Sequence, residues 1–197
     1  MKALTEAQKR GKELEILQAA TRVLSGRGFD ALTMDEVAKE AGLAKGTLFL
    51  YYNHKEDLIL AMFSAMAETL AKTINGVASA GLPPEETLRK TICALLEHFD
   101  KKRDITGYSG GLPLSGPRKE ALRARFSANM EAIAAALTRC SADGLLRLED
   151  PLFAASALFG LCRGSTSYAR AAGHKLPLEE RARRITGIFL DGTRKKR

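Results

Sequence analysis

The sequence predicts an all-α protein. Apolar residues recur at spacings of three and four along most of its 197 residues, which is the period of an amphipathic helix. No segment shows a convincing alternation of β-branched residues, the pattern of a half-buried strand. Helix-starting and helix-stopping residues separate the periodic segments. We therefore expect three short N-terminal helices followed by a larger domain of long helices.

The first predicted helix opens at a capping box. Thr5 is followed three residues later by Gln8, so each side chain can bind the other residue's backbone N–H. The helix stops at Gly26–Gly28. Its apolar stripe, which predicts the buried face, consists of Ile16, Ala20, Val23 and Leu24.

Two short helices follow, joined by a glycine turn. Thr33 with Glu36 forms a second capping box and opens a helix over Met34–Ala41. That helix ends at Gly42, where a left-handed backbone costs little. A third helix, Lys45–Tyr52, begins two residues later. The pair fits a helix-turn-helix, although any two short helices can be joined through a glycine.

The third helix has an unusual outer face. If Leu48 points inward, a turn of about 100° per residue places four residues away from the core. An apolar surface of this kind favours a partner, and the major groove of DNA offers thymine methyl groups and base-edge acceptors. Alternatively, Phe49 packs sideways on the first helix. The outward residues are Gly46, Thr47, Phe49 and Leu50.

A lysine at the start of the next helix gives a second indication. Asn53 with Glu56 predicts a helix start, and Lys55 lies in its first turn. A cation there interacts unfavourably with the helix dipole, at a cost of about 0.5 kcal/mol. A phosphate bound there would be attracted by both the helix dipole and the lysine ammonium. Further phosphate contacts could come from basic residues that, taken singly, are more often solvated: Lys9, Arg10, Lys12 and Lys45.

The remaining helices are longer, and three breaks separate them. Gly81–Pro84, the loop Thr106–Pro117 and Gly173–Pro177 contain the glycines and prolines that end helices. The predicted helices run from Asn53 through Thr69 and over Glu85–Lys102, Lys119–Ala142, Asp150–Ala172 and Leu178–Gly192. The inward face predicted for Glu85–Lys102 consists of Leu88, Ile92, Leu95, Leu96 and Phe99. That predicted for Lys119–Ala142 consists of Leu122, Phe126, Met130, Ile133 and Leu137.

Composition excludes several classes of protein. The formal net charge is +8, yet residues 1–60 contain nine basic and nine acidic side chains, so net charge alone does not locate a site. The three cysteines are widely spaced, as expected for free thiols in a reducing compartment. The longest apolar stretch, 153–162, is too short to cross a bilayer. We expect a soluble cytoplasmic protein.

The residue patterns that would indicate an enzyme do not occur. Cys93 and His98 lie about 140° apart around one predicted helix, which does not make a nucleophile–base pair. No His/Cys cluster has the spacing of metal ligands. The order Lys45-Gly46-Thr47 reverses that of a phosphate-binding P-loop. We therefore expect no catalysis, no cofactor and no metal.

The stretch TMDEVAKEAGLAKGTLFLYYNHKEDL, Thr33–Leu58, resembles the DNA-binding signature of the tetracycline-repressor (TetR) family of bacterial transcriptional regulators. The resemblance implies a DNA-binding domain over residues 1–54 and a ligand-binding and dimerisation domain over 55–197. The stretch differs from the common pattern of the family at two positions. Phe49 stands where a tyrosine is common, and Ala44 stands where a serine that caps the helix is common. The positions that it implies face DNA are Thr33, Lys45, Gly46, Thr47, Tyr51 and Lys55, to which the outer face of the third helix adds Phe49 and Leu50.

The same resemblance implies a homodimer that binds a palindromic operator. The chain would then be a repressor that a small-molecule effector releases; the alternative is a helical adaptor without sequence-specific DNA binding. The last two helices would pair with their copies through Leu152, Ala155, Phe159, Ile185 and Phe189. Candidate residues of the effector pocket, each also explicable as ordinary core, are Phe63, Met66, Cys93, Leu96, Phe99, Phe126 and Met130.

Overall fold

A computed structural model describes residues 5–28, 31–101, 114–173 and 176–193. These residues form helices and no strand, which confirms the predicted all-α class. Among them, no helix is both long and apolar enough to cross a membrane. The helices are α1 (Glu6–Arg27), α2 (Met34–Glu40), α3 (Lys45–Phe49), α4 (Lys55–Ser79), α5 (Pro84–Lys101), α6 (Gly116–Ala142), α7 (Pro151–Ala171) and α8 (Leu178–Thr193).

The caps of the first two helices differ from each other. The capping box of α1 is formed in both directions by Thr5 and Gln8, as predicted. In α2 the Thr33 side chain accepts a hydrogen bond from the Glu36 backbone N–H, but the return bond of the predicted box is not made. The Glu36 carboxylate instead accepts from Arg27, and the Thr33 N–H donates to the Ala31 carbonyl. The second capping box is therefore only half formed.

Three predicted helix ends are corrected. Helix α3 stops at Phe49 and not at Tyr52, after a single buried residue, Leu48. Helix α4 begins at Lys55, so His54, whose carbonyl accepts from the first helical N–H groups, is the cap and not Asn53. Gly116 and Pro117, predicted as loop, form the first turn of α6, because proline is well tolerated there. The loop residues 106–113 lie outside the described part of the chain.

The chain divides into two compact units. The first comprises Met1–Ala65 with Arg103–Leu122, and the second Met66–Lys102 with Arg123–Arg197. The start of α6 thus groups with the N-terminal helices, whereas the sequence predicted a single boundary after residue 54. Within the first unit, Arg118 of α6 donates to Asp57 of α4 over 2.7 Å. Leu114, which precedes α6, is buried.

Each unit has its own apolar core. In the first, the buried faces of α1 and α2 include Ile16, Leu24 and Val37. In the second, α5, α6, α7 and α8 enclose a cluster to which α4 contributes Leu70 and Ile74. The inward face predicted for Glu85–Lys102 is confirmed: its members are Leu88, Ile92, Leu95, Leu96 and Phe99.

Phe126 corrects the predicted inward face of α6. It is 44% exposed, whereas Leu122, Ile133 and Leu137 are buried and Met130 packs against the core. Asn129, three residues after Phe126, is buried in its place. The spacing of apolar residues predicted that Phe126 would be buried. In the structure Phe126 is exposed and Asn129 is buried.

Candidate nucleic-acid interface

The first unit holds α3 against α2 through a tight glycine turn. Gly42 has φ +65°, a left-handed conformation that a side chain rarely adopts. The turn brings the Leu43 N–H to 2.8 Å from the Ala38 carbonyl. Leu48 is fully buried and anchors α3 from the inside. The helix-turn-helix predicted from these positions is therefore present, with α3 carried on the surface.

The outer face of α3 is apolar and open. Leu50 is 85% exposed and Phe49 is 38% exposed, so Phe49 does not withdraw fully onto α1. Gly46 is exposed, and a Cβ built there would meet no atom within 4 Å. Nothing in the part of the chain that the structure describes therefore requires a glycine at position 46. Thr47 is half-buried beside it.

Ala44 leaves the start of α3 without a side-chain cap, as the sequence predicts. A serine or aspartate at this position would typically contribute about 1 kcal/mol to the helix. The five-residue helix is instead anchored by the buried Leu48, and α2, which precedes it, is fixed to α1. Glu40 of α2 accepts from Arg22 of α1 over 2.7 Å, and Glu36 pairs with Arg27, so two ion pairs tie α1 to α2.

The lysines predicted to contact phosphates lie beside carboxylates. Lys45, the first residue of α3, lies 2.6 Å from the carboxylate of Asp35 in α2. On α1, Lys9 donates to the Glu6 carboxylate over 2.9 Å, and this hydrogen bond is the main reason that the pKa of Lys9 is raised. Lys12 pairs with Glu15 at 2.6 Å. All three lysines thus have a carboxylate partner, and only the Lys45–Asp35 pair joins two helices and could not be read from i,i+3 spacing.

The residues after α3 form its border with α1. Tyr51 and Tyr52 are both half-buried. Burial raises the pKa of Tyr52 to about 12, and the nearby Glu13 carboxylate adds to the shift. Lys55 is half-buried at the start of α4, and Thr33 is exposed at the cap of α2. All eight residues predicted to face DNA thus belong to the first unit.

Sequence reasoning missed two charged residues here. The sequence pattern indicates no role for Asp35 in a binding site, because an acidic residue in the first turn of a helix is ordinary. Arg118 was assigned to no site because it follows the predicted loop; its guanidinium lowers the pKa of Asp57 mainly through their hydrogen bond. No signal in a single sequence brings Arg118, 61 residues distant, to Asp57.

The residues predicted for a dimer interface are mostly inside the chain. Ala155, Ile185 and Phe189 are buried in the core of the second unit, and their role in a dimer interface stays a prediction. Phe159 is half-buried, with its ring 4.9 Å from that of Phe99 in an edge-to-face contact. Of the predicted set, only Leu152 is exposed. The exposed apolar side chains of α7 and α8 are Leu152, Phe153, Tyr168 and Ile188.

The candidate pocket residues are distributed among several environments. Leu96, Phe99 and Met66 are buried, and Cys93 and Met130 pack against the core of the second unit. Phe63 is half-buried and lies in the first unit. Their role in a pocket stays a prediction. An open groove of about 540 Å³ on the second unit is lined by Arg89, Pro177, Glu179, Glu180, Arg183 and Thr186, of which Arg89 and Glu179 also interact with Cys93.

One buried charged group belongs to the second unit. Arg181 of α8 donates to both carboxylate oxygens of Asp100 and to the Thr166 hydroxyl. Its Nε is buried without a hydrogen-bond partner. This cluster ties α5, α7 and α8 together. In the part of the chain that the structure describes, no group of three or more His, Cys, Asp or Glu side chains is placed to hold a metal ion.

Two family models match the chain. The model for bacterial regulatory proteins of the tetR family matches residues 16–62, which contain α2, α3 and the turn between them. The model for the C-terminal domain of AefR-like transcriptional repressors matches residues 116–188. The first match falls on the surface described above. The resemblance that the sequence predicted is thus confirmed.

Individual relatives agree with these models. The HTH-type transcriptional regulator YerO of Bacillus subtilis is 34% identical over 99 residues, 48% of this chain and 33% of YerO. The fatty acid metabolism regulator protein of the same organism is 39% identical over 56 residues, 28% of this chain and 29% of that protein. The chain therefore spans about a third of the length of these curated relatives.

A solved structure shows the same fold over nearly the whole chain. The transcriptional regulator FadR from Bacillus subtilis, in complex with stearoyl-CoA, superposes with a TM-score of 0.76. The superposition covers 91% of this chain and 98% of that one, at 18% sequence identity. At this identity the likeness shows the fold alone.

Proposed function

Since the chain belongs to the TetR family of bacterial transcriptional regulators, whose members are DNA-binding proteins and not enzymes, we propose that it binds a palindromic operator as a homodimer. Each copy inserts α3 into the major groove. The chain acts as a repressor, and a small-molecule effector bound to the second unit releases it from DNA.

The outer face of α3 is the observation that carries this proposal. It combines exposed Leu50 and Phe49 with Gly46, whose missing side chain leaves open space. Apolar groups on this face suit thymine methyls, and the Thr47 hydroxyl suits base-edge acceptors. Gly46 allows the backbone to approach the base pairs closely. A solvated helix of an adaptor would have no need of such a face.

Basic residues near this face suit the phosphates on either side of the groove. Lys55 lies at the start of α4 and Lys45 at the start of α3. Lys9 and Lys12 lie in the first half of α1. Contacts of this kind position the protein on the duplex without reading its sequence. Phe49 has no hydroxyl to donate to a phosphate, so docking relies more on the lysines.

Dimer formation is proposed on the exposed face of α7 and α8. Phe153 is 73% exposed, and Leu152, Tyr168 and Ile188 are exposed with it. Phe153→Asp would place a charge in an apolar interface, and we expect the dimer to dissociate at micromolar concentration in sedimentation equilibrium. Ala135→Asp on the exposed side of α6 is the matched control. A dimer that both variants preserve would contradict this interface.

Release by an effector is proposed to act through α4. This helix begins in the first unit and ends in the second, so a shift of α4 changes the separation of the two α3 helices in a dimer. The effector must bind the released arrangement more tightly than the DNA-bound one. Stearoyl-CoA, named with the solved FadR, is a suitable first probe. Operator binding that is insensitive to stearoyl-CoA would exclude this ligand.

The test of the proposed function is selection of bound fragments from a random duplex pool. The full chain is used at near-physiological salt, and Leu50→Ala serves as a folded comparison. We expect enrichment of a palindrome whose half-sites lie about 34–36 Å apart, one helical turn. If no sequence is enriched and binding disappears on adding salt, the helical-adaptor alternative replaces the proposal.

A further inference from the structure

Two neighbouring carboxylates in the first turn of α2 point to different helices. Glu36 pairs with Arg27 of α1, and Asp35 pairs with Lys45, the first residue of α3, at 2.6 Å. The Asp35–Lys45 pair is open to solvent, with 64% and 58% of the two side chains exposed. Lys45 lies four residues before Phe49 in α3, so the two side chains share the outer face of this helix. An acidic side chain is unexpected on a surface that binds polyphosphate.

We propose that Asp35 competes with DNA phosphates for Lys45 and thereby lowers the affinity of this surface for every duplex. The inference rests on the proposed function, because it assumes that α3 meets DNA. Without DNA, the Asp35 carboxylate is the counter-charge of Lys45. When DNA binds, a phosphate either displaces the Asp35 carboxylate from Lys45 or makes no contact with that lysine.

The exposure of the pair makes the exchange feasible. Exposed ion pairs contribute little because water and salt screen them, so a phosphate can displace Asp35 readily. The expected penalty corresponds to about a two- to fivefold loss in affinity, the range of exposed pairs. Repulsion between the Asp35 carboxylate and nearby phosphates acts in the same direction. Neither effect depends on base sequence.

A purely structural role for the pair predicts the opposite sign. If Asp35 were needed to hold α3, its removal would loosen the recognition helix and weaken DNA binding. The helix has other attachments: Leu48 is fully buried, and the Leu43 N–H binds the Ala38 carbonyl. The direction of the change in affinity therefore separates the two roles.

The experiment compares full-length variants on two duplexes of equal length, the selected operator and a random sequence. Asp35→Asn removes the competitor. Glu40→Gln, on the same helix, makes the same change in net charge without freeing Lys45, since Glu40 pairs with Arg22. Asp35→Glu retains a carboxylate for the pair. Dissociation constants are measured over a range of salt concentrations, and thermal unfolding confirms that each variant is folded.

In each half-site we expect Asp35→Asn to bind both duplexes about two- to fivefold more tightly and to steepen the logarithmic salt slope by up to about 0.9, one additional phosphate contact per protomer. Glu40→Gln should show a smaller change, and Asp35→Glu should match the wild type. In a Lys45→Ala background, Asp35→Asn should have no more effect than Glu40→Gln.

Several results would overturn the inference. These are an affinity for Asp35→Asn equal to that of Glu40→Gln, a loss of affinity, a gain confined to the operator, or a gain that persists without Lys45. A wild-type chain that binds neither duplex would overturn the proposed function as well. A chain that binds both duplexes with Asp35→Asn unchanged would overturn the inference alone.

Discussion

Leu48 and Leu50 are two leucines of one short segment whose truncation to alanine separates folding from recognition. Leu48 is fully buried, whereas Leu50 is 85% exposed. Leu48→Ala removes the single buried side chain of α3. Leu50→Ala removes an apolar group from the face proposed to enter the major groove. The two variants make the same chemical change at opposite extremes of burial.

The magnitudes follow from this difference in exposure. A buried Leu→Ala truncation costs about 3–5 kcal/mol, and a site near the surface can partly collapse, so we expect about 3 kcal/mol for Leu48→Ala. In a chain of this length that corresponds to a fall in Tm of roughly 6–12 °C. Leu50→Ala should change the free energy of unfolding by less than about 0.5 kcal/mol. On DNA its lost apolar contact should cost about 1.5 kcal/mol per half-site, roughly tenfold in affinity.

Urea denaturation followed by circular dichroism measures the unfolding free energies, and titration of the selected duplex measures the affinities. The reasoning predicts that Leu48→Ala loses stability and that Leu50→Ala loses DNA affinity at wild-type stability. A Leu50→Ala variant that binds DNA normally would refute the proposed orientation of α3. A Leu48→Ala variant of normal stability would refute the packing of the helix-turn-helix.

Three further predictions concern single residues of the first unit. Gly46→Ala should raise stability by about 0.5–1 kcal/mol, because alanine is the better helix former, yet weaken operator binding, since a methyl group would stand between the backbone and the bases; stronger binding in a gel-shift titration would contradict this. Thr47→Ala should relax base preference in a repeated selection, whereas Lys55→Ala should weaken all duplexes alike and lower the salt slope by about 0.9 for each half-site; unchanged binding in both variants would exclude this docking. The Arg118 guanidinium lowers the pKa of Asp57 mainly by hydrogen bonding. The ionised Asp57 therefore stabilises the fold at pH values above its pKa in the unfolded chain, about 3.9. This stabilisation is lost as the pH falls through the lower pKa that Asp57 has in the folded protein. Asp57→Asn should therefore cost at most about 1 kcal/mol at pH 7 and nothing at acid pH where the wild-type carboxyl is protonated; an equal cost at both pH values in urea titrations would contradict the ion pair.

Local chemistry made the first unit predictable from the sequence. The Thr5 capping box, the turn at Gly42 and the inward Leu48 each depend on residues within a few positions of one another, and all three are present. The error at Thr33 arose from a non-local competitor, because Arg27 draws the Glu36 carboxylate away from the cap. Helix α3 ends early in a turn, where the Tyr51 and Tyr52 N–H groups both donate to the Leu48 carbonyl.

The second unit was less predictable because its helices are apolar on more than one side. The period of α7 and α8 identified apolar stripes correctly but not which stripe faces the chain's own core. Ala155, Ile185 and Phe189 are buried in that core, whereas Phe153 and Ile188 are exposed. Likewise, the sequence could not show that Asn129 and not Phe126 turns inward on α6. Which of two apolar faces a helix buries depends on neighbours distant in the chain.

The most direct test of the central claim, that the apolar face of α3 reads bases in the major groove, is replacement of each operator thymine by uracil. This removes one methyl group from the groove and leaves the hydrogen-bonding edges intact. We predict at least one thymine in each half-site whose replacement weakens the wild-type protein severalfold but leaves Leu50→Ala unaffected. If no replacement matters, or if the two proteins lose affinity equally, the outer face of α3 does not read the operator.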